Sequence, residues 1–153
     1  MKSIFNVRVY GILINDKNEL LVTDEYRSGM AFSKFPGGGL EFGEGTIDCL
    51  KREFREELGM EVEVTRHFYT TDFFQVSAFN SRQQLISIYY LVKNTAPLTF
   101  GIKHKKFDFE KLVEGAQTFR WVAVNKLTPE EFMFPVDKIV AEMLKTAESK
   151  KDL

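Results

Sequence analysis

Only one cysteine, Cys49, occurs among the 153 residues, so no disulfide can form within the chain. A disulfide-stapled framework is thereby excluded, and a lone thiol suits a reducing compartment. Long hydrophobic runs are missing as well: no apolar stretch reaches the roughly 18 residues of a membrane-spanning helix. The opening MKSIFNVRVYGILIND lacks a long apolar segment followed by a small-residue cleavage site. A soluble, cytoplasmic protein is the expectation. Charge of one sign is lacking too, because 21 basic residues face 22 acidic ones for a net charge of −1. Such a balance creates no global field for nucleic acid or an acidic membrane, so an anionic ligand must be neutralised locally. No internal repeat, low-complexity tract or linker interrupts the chain.

What is present is a globular composition, 44% hydrophobic and 28% charged, with Phe in excess at 15 copies. A chain of this length buries roughly two thirds of its unfolded surface, which predicts one domain over residues 1–153 with residues 146–153 as a frayed tail. Val7, Val9, Gly11 and Leu13 lie in a β-rich run, and NDKN (15–18) supplies turn residues before ELLVT, which reads as a hairpin. Ile47, Leu50, Phe54 and Leu58 recur at helical spacing, with Thr46 as N-cap and Gly59 as stop. EVEVTRHFYTTDFF and QTFRWVAV read as strands, and the nearly continuous QLISIYYLV as a strand covered on both faces. Pro129 opens a short helical segment and Pro135 a longer helix. Strands and helices in this irregular alternation predict an α/β domain with a mixed sheet between helices.

The helix carries Glu53, Glu56 and Glu57, related by i,i+3 and i,i+4, so their carboxylates emerge on one face. Each like-charged neighbour costs about 0.2–0.5 kcal/mol, and a bound cation reverses that sign. Three oxygen ligands with open positions suit Mg²⁺ or Mn²⁺ and leave room for phosphate oxygens. Zinc fits worse, since Cys49 stands alone and His67 and His104 are not at ligand spacing. Arg52 lies four residues before Glu56 and can hold it by a charged hydrogen bond. Glutamates at this spacing are by themselves ordinary helix surface; the preceding Gly37, Gly38 and Gly39 change the reading, because bare backbone can approach a ligand or metal closely. Glu41 and Glu44 place two more acids beside it.

Gly38, five residues, Glu44, seven residues, then Arg52, Glu53, Phe54, Arg55, Glu56, Glu57, Leu58, Gly59 and Met60 form one continuous pattern. It resembles the Nudix box of the Nudix hydrolases, MutT-like enzymes, with every fixed position occupied and with Phe54 and Met60 as less usual choices at the aliphatic positions. The resemblance implies a Nudix α/β/α sandwich and a pyrophosphohydrolase that uses Mg²⁺ or Mn²⁺ to cleave the diphosphate linkage of a nucleoside diphosphate joined to another moiety. NTP, ADP-ribose and nucleotide-sugar types all remain open as substrate. It further implies that Glu53, Glu56 and Glu57 form the metal site and act in catalysis, joined by a backbone carbonyl of Gly37 or Gly38. Arg52 and Glu44 orient those carboxylates, and Gly38 and Gly39 lie against substrate.

A base outside the box is often found in this family on a loop before a late strand bearing Trp, and Glu114, seven residues before Trp121, occupies such a place. Arg27 and Lys34, just upstream of the glycines, are the candidate phosphate-binding cations, while KHKK (103–106) reads as a solvated loop. Phe68, Tyr69, Phe73, Phe74, Tyr89 and Tyr90 are candidates to stack on a base, against the alternative of core packing. An exposed aromatic strand edge would permit a homodimer. Two other readings stand beside the hydrolase: a catalytically silent Nudix domain that senses a nucleotide or sugar derivative, and isomerase chemistry on an isoprenoid diphosphate. The second needs a catalytic cysteine, and Cys49 inside the helix does not supply one.

Overall fold

A computed structural model describes residues 3–98 and 101–153. The chain falls into two compact units, Met1–Ile12 with Pro36–Thr99, and Leu13–Phe35 with Phe100–Leu153. The strands are β1 (Ile4–Leu13), β2 (Glu19–Arg27), β3 (Met30–Lys34), β4 (Gly37–Gly39), β5 (Val62–Thr70), β6 (Gln83–Asn94) and β7 (Gln117–Ala123); the α-helices are α1 (Thr46–Leu58) and α2 (Pro135–Ser149). Among the described residues no helix is long and apolar enough to cross a membrane.

The first unit is built on a four-stranded sheet in the order β4-β1-β6-β5. β4 pairs antiparallel with β1, and β5 antiparallel with β6. β1 and β6 run the same way, since the Ile4 N–H donates to the Arg82 carbonyl at 3.0 Å near one end and Gly11 faces Val92 near the other. This is the mixed sheet expected of the α/β class. Helix α1 lies on it through Leu50, Phe54 and Leu58, all buried. A Cβ on Gly11 would lie 2.6 Å from the Phe54 ring, so the absent side chain is what lets the aromatic seat on β1. β6 is half-buried along most of its length, with Ser87, Tyr89 and Val92 buried. Its continuous apolar run thus reflects β-branched and aromatic preference for a pleated surface rather than coverage of both faces.

The second unit holds a three-stranded antiparallel sheet, β3-β2-β7, together with α2 and two short 3₁₀ turns, Val124–Lys126 and Pro129–Glu131. NDKN is a turn, as expected: Asn15 Oδ1 accepts the N–H groups of Lys17 and Glu19, each at 3.0 Å. The flanking strands do not continue as a hairpin, however. Beyond a single bridge, Ile14 to Leu20, β1 and β2 belong to different sheets. Pro135 occupies the first turn of α2, where its missing N–H costs nothing, and the helix continues through Ser149, past the point where the tail was expected to begin.

A buried polar network braces this unit. Asp24, fully buried, accepts Ser33 Oγ at 2.6 Å, Arg120 Nε at 2.6 Å and the Phe107 N–H at 3.0 Å. Arg120 also bonds Glu131. The Phe107 contact ties the loop before β7 onto β2, and Lys106 reaches Glu131 at 3.4 Å. KHKK is therefore only partly a solvated loop: the Lys103 N–H donates to Phe119 at 2.9 Å, and Lys103 accepts the Trp121 N–H at 3.1 Å.

Candidate active site

The site begins with three glycines that form the edge strand β4, in register with Tyr10, Val9 and Arg8 of β1. Gly37 has φ 146°, and a Cβ there would lie 2.1 Å from the Val9 carbonyl oxygen, so only glycine fits. At Gly38 the same construction meets the Glu53 carboxylate at 2.4–2.8 Å. Glu53 thus lies directly against bare backbone. The loop 40–45 then leads into α1. Gly45, in extended conformation, precedes the first turn, and no side chain caps it. Thr46 is not the cap expected from its position, because it is already helical and its hydroxyl bonds Tyr90 at 2.7 Å. Gly59 closes the helix in the left-handed conformation, as expected. The buried stripe also differs at its start: Ile47 is 44% exposed, and Cys49 takes the inward position with its thiol 3.5 Å from the Gly39 carbonyl.

Arg52 organises the acids. Its Nε and Nη2 grip Glu44 at 2.9 and 2.7 Å, and Nη2 also donates to the Gly39 carbonyl at 3.1 Å. Nη1 donates to Glu53 at 3.0 Å and to Glu56 at 3.1 Å. The Arg52 hydrogen bonds, helped by the Glu41 backbone N–H, hold the Glu44 carboxyl down at about 2. Arg52 is in turn held well above the ordinary guanidinium range, chiefly by Glu44. Burial, reinforced by Glu44, pushes the Cys49 thiol up to about 12, which leaves it protonated and unreactive.

Gly37, Gly38, Gly39, Glu44, Arg52, Glu53, Glu56 and Glu57 all lie in the first unit, on β4, its following loop and α1. Among the described residues no three His, Cys, Asp or Glu side chains converge on one ion-binding point, and Glu53 and Glu56 instead share Arg52. The chemistry of the donor set still fits a hard divalent cation: three carboxylates on successive turns of one helix face, beside glycine backbone with no side chain in the way.

Arg27, Lys34 and Glu114 belong to the second unit. Lys34 is buried and pairs with Glu25 at 3.5 Å. Both oxygens of Glu114 accept the Ser28 N–H, at 3.1 and 2.9 Å, so this acid closes the turn between β2 and β3, where Arg27 is exposed. Of the aromatic candidates, Tyr89 is core at 1% exposure, whereas Phe74 is 73% exposed. Tyr90 is bonded to Thr46, and Tyr69 donates to Asp72 at 2.8 Å.

Sequence reasoning missed Arg8. Its Nε donates to the Tyr10 hydroxyl at 2.8 Å, its guanidinium carbon stands 5.8 Å from the Tyr10 ring centre, and it pairs across from Gly39. The alternating FNVRVYG offered a signal, an arginine on a strand otherwise rich in apolar residues. It missed the Asp24–Arg120 pair too, although a charge inside each of two apolar strand runs, LLVTDEY and TFRWVA, hints at a buried ion pair.

The NUDIX domain model matches residues 5–143. Among solved structures, the chain is similar to a NUDIX hydrolase from Nitrosomonas europaea, at 19% identity and a TM-score of 0.67 over 94% of this chain and 89% of the other. It is similar also to a MutT protein from Methanosarcina mazei Go1, at 16% identity and a TM-score of 0.67 over 100% and 99% of the two chains. An ADP-ribose pyrophosphatase from Streptococcus suis 89-1591 shares the fold at 13% identity and a TM-score of 0.58, over 97% and 92%. The box residues around Glu53 lie inside the matched span, and the chain belongs to the NUDIX family.

Proposed function

We propose that the whole chain works as one Nudix domain that hydrolyses the diphosphate linkage of a nucleoside diphosphate joined to another group, with Mg²⁺ or Mn²⁺ held by Glu53, Glu56 and Glu57. The observation that carries this is the seat of the Glu53 carboxylate against the side-chain-less Gly38, braced by Arg52 and Glu44. A diphosphate resists attack because its charged oxygens repel an incoming nucleophile. A divalent ion, when bound, offsets that charge and lowers the pKa of water.

The chain's own residues supply position. Gly37 and Gly38 offer backbone carbonyls as further ligands, and Gly38 and Gly39 let the diphosphate lie along β4 without meeting a side chain. Arg52 stays anchored by Glu44 while it fixes the direction of Glu53 and Glu56. Arg27 and Lys34 are the second unit's candidates to meet phosphate, Lys34 by exchanging Glu25 for it. Water attacks phosphorus, the bond to the bridging oxygen breaks, and a carboxylate takes the water's proton. Glu53, Glu56, Glu57 and Glu114 are the candidates for that base, and Glu114 serves only by releasing the Ser28 N–H.

The test is a panel of NTPs, ADP-ribose and nucleotide sugars incubated with protein and Mg²⁺, products being resolved by chromatography. Wild type should turn over at least one class, and Glu57→Gln should lose about 10²-fold or more in rate with its unfolding midpoint retained. Undiminished turnover by that variant refutes the site. Tight binding across the panel without turnover points to a sensor instead.

A further inference from the structure

Glu44, the anchor of Arg52, stands between two glycines, and at Gly43 the backbone takes φ 95°. Glycine restricts its own dihedrals least of all residues, so this stretch of loop does not by itself fix where Glu44 points. The helix it feeds is no firmer at that end. No side chain caps α1, Ile47 is 44% exposed, and the first buried residue is Cys49. A polar contact ties this first turn to the sheet instead: the Thr46 and Tyr90 hydroxyls bond each other at 2.7 Å, both residues being half-buried. Tyr90 comes from the face of β6 that carries α1, because Val92, two residues on, meets the same Gly11 position as the Phe54 ring. Its own ring is steadied from β5 by His67, edge-on at 5.9 Å, whose Nε2 bonds the Thr70 hydroxyl at 2.8 Å. Phe54 follows Thr46 at a distance of about 12 Å along the helix, so the two contacts hold α1 at separate points and set its tilt.

We propose that Tyr90 is a positioning residue for the divalent-cation site: by holding Thr46 it fixes the first turn of α1, and through that turn the Glu44 carboxylate that steers Arg52, Glu53 and Glu56. This rests on the metal-site reading of Glu53, Glu56 and Glu57 and adds to it a residue far from the box in sequence. The route is short. The Cys49 N–H donates to the Gly45 carbonyl at 2.9 Å, which closes the first helical bond on the residue next to Glu44. Glu44 takes Arg52 Nε and Nη2, and Arg52 Nη1 reaches Glu53 and Glu56. A phenol suits the task, since it holds the turn directionally and brings no charge to compete with the carboxylates for a cation.

The test is titration with Mn²⁺ followed by electron paramagnetic resonance, alongside urea denaturation. Tyr90→Phe, which keeps the ring against His67 and drops the hydroxyl, should weaken Mn²⁺ binding about 2- to 10-fold, the range of one neutral hydrogen bond. Thr46→Val should match it, and the double variant should lose no more than either, since all three lack the same bond. In a Glu44→Ala background Tyr90→Phe should have no further effect, because the anchor it directs is gone. Thr65→Val removes a different sheet contact, from Thr65 Oγ1 to the Leu91 carbonyl at 3.0 Å, and should bind Mn²⁺ as wild type does. Equal Mn²⁺ binding by wild type and Tyr90→Phe overturns the proposal while leaving the metal-site reading intact. Wild type that binds no Mn²⁺ overturns both. A loss of the same size in Thr65→Val, or a Tyr90→Phe loss that persists in full without Glu44, assigns Tyr90 to general stability and overturns the proposal as well.

Discussion

Gly38→Ala tests the site most directly, because the structure says where the added atom goes. The new Cβ would fall 2.4 Å from Glu53 Oε1, 2.5 Å from its Cδ and 2.8 Å from Oε2, whereas ordinary contact begins at 3.4 Å. The carboxylate must therefore retreat by about 1 Å, a displacement that costs on the order of 10²-fold when it misplaces a reacting group. Stability should respond much less. The atoms that give way are the end of one side chain, so the penalty belongs at the lower end of the roughly 1–3 kcal/mol typical of overpacking. Arg52 Nη1, at 3.0 Å from Glu53, resists the retreat but can follow it. Gly39→Ala is the control for stability, since its nearest neighbour would be Arg8 Nη1 at 3.6 Å, an ordinary contact. The assay pairs initial rates on the best substrate of the panel with urea denaturation. A Gly38→Ala protein that hydrolyses within a factor of a few of wild type would sink the reasoning. So would one whose activity is lost only because the fold is lost.

Acid should loosen the loop that carries Glu44. Its carboxyl sits at about 2 when folded against an ordinary 4.5, so the native state binds the proton less readily than the unfolded chain. The stabilisation from this group is complete above 4.5 and is lost as pH falls from 4.5 toward 2. Thermal midpoints of wild type should fall through that window more steeply than those of Glu44→Gln, and parallel curves would contradict the Arg52–Glu44 brace. Cys49, buried and with its thiol pushed to about 12, should resist a thiol-reactive disulfide at pH 8 in native protein and react on unfolding; rapid native labelling would contradict its burial. Asp24→Asn should destabilise the protein by about 3–5 kcal/mol, toward the lower end because Glu131 still faces Arg120. A urea midpoint within error of wild type would show that the network contributes nothing.

The box was legible because its residues interact locally. Helix α1 ends at Leu58 as the apolar spacing and Gly59 predict, and the Arg52–Glu56 contact follows from four-residue spacing alone. What was not legible depends on partners distant in sequence. Thr46 was expected to cap its own helix, yet its hydroxyl goes to Tyr90, a residue on a strand that periodicity cannot place beside it. The β1–β2 hairpin was expected from NDKN, and the turn exists. Which sheet each flanking strand joins is decided by β4, β6 and β7, all later in the chain. Glu114 was placed before Trp121 correctly, but its bond to Ser28 reaches across 86 positions. Arg8 went unnoticed for the same reason: Gly39, its neighbour across the sheet, is on another strand.

The crowding of Glu53 and Glu56 is offset by an arginine, and the proposed cation would draw on the same oxygens. One arginine, Arg52, already serves Glu53 and Glu56 through a single nitrogen, Nη1, while its other two nitrogens are committed to Glu44 and Gly39. A shared donor is a weaker hold than a dedicated one, so the acids are kept together without being tightly bound. A residue meant only for helix stability would need no second anchor eight positions upstream. Glu44 supplies that anchor, and it keeps the guanidinium in place whether or not Glu53 and Glu56 remain on it. The arrangement therefore separates the support from the carboxylates proposed as ligands. Carboxylates can leave Nη1 for a cation without the loop or the helix losing the contact that fixes their direction.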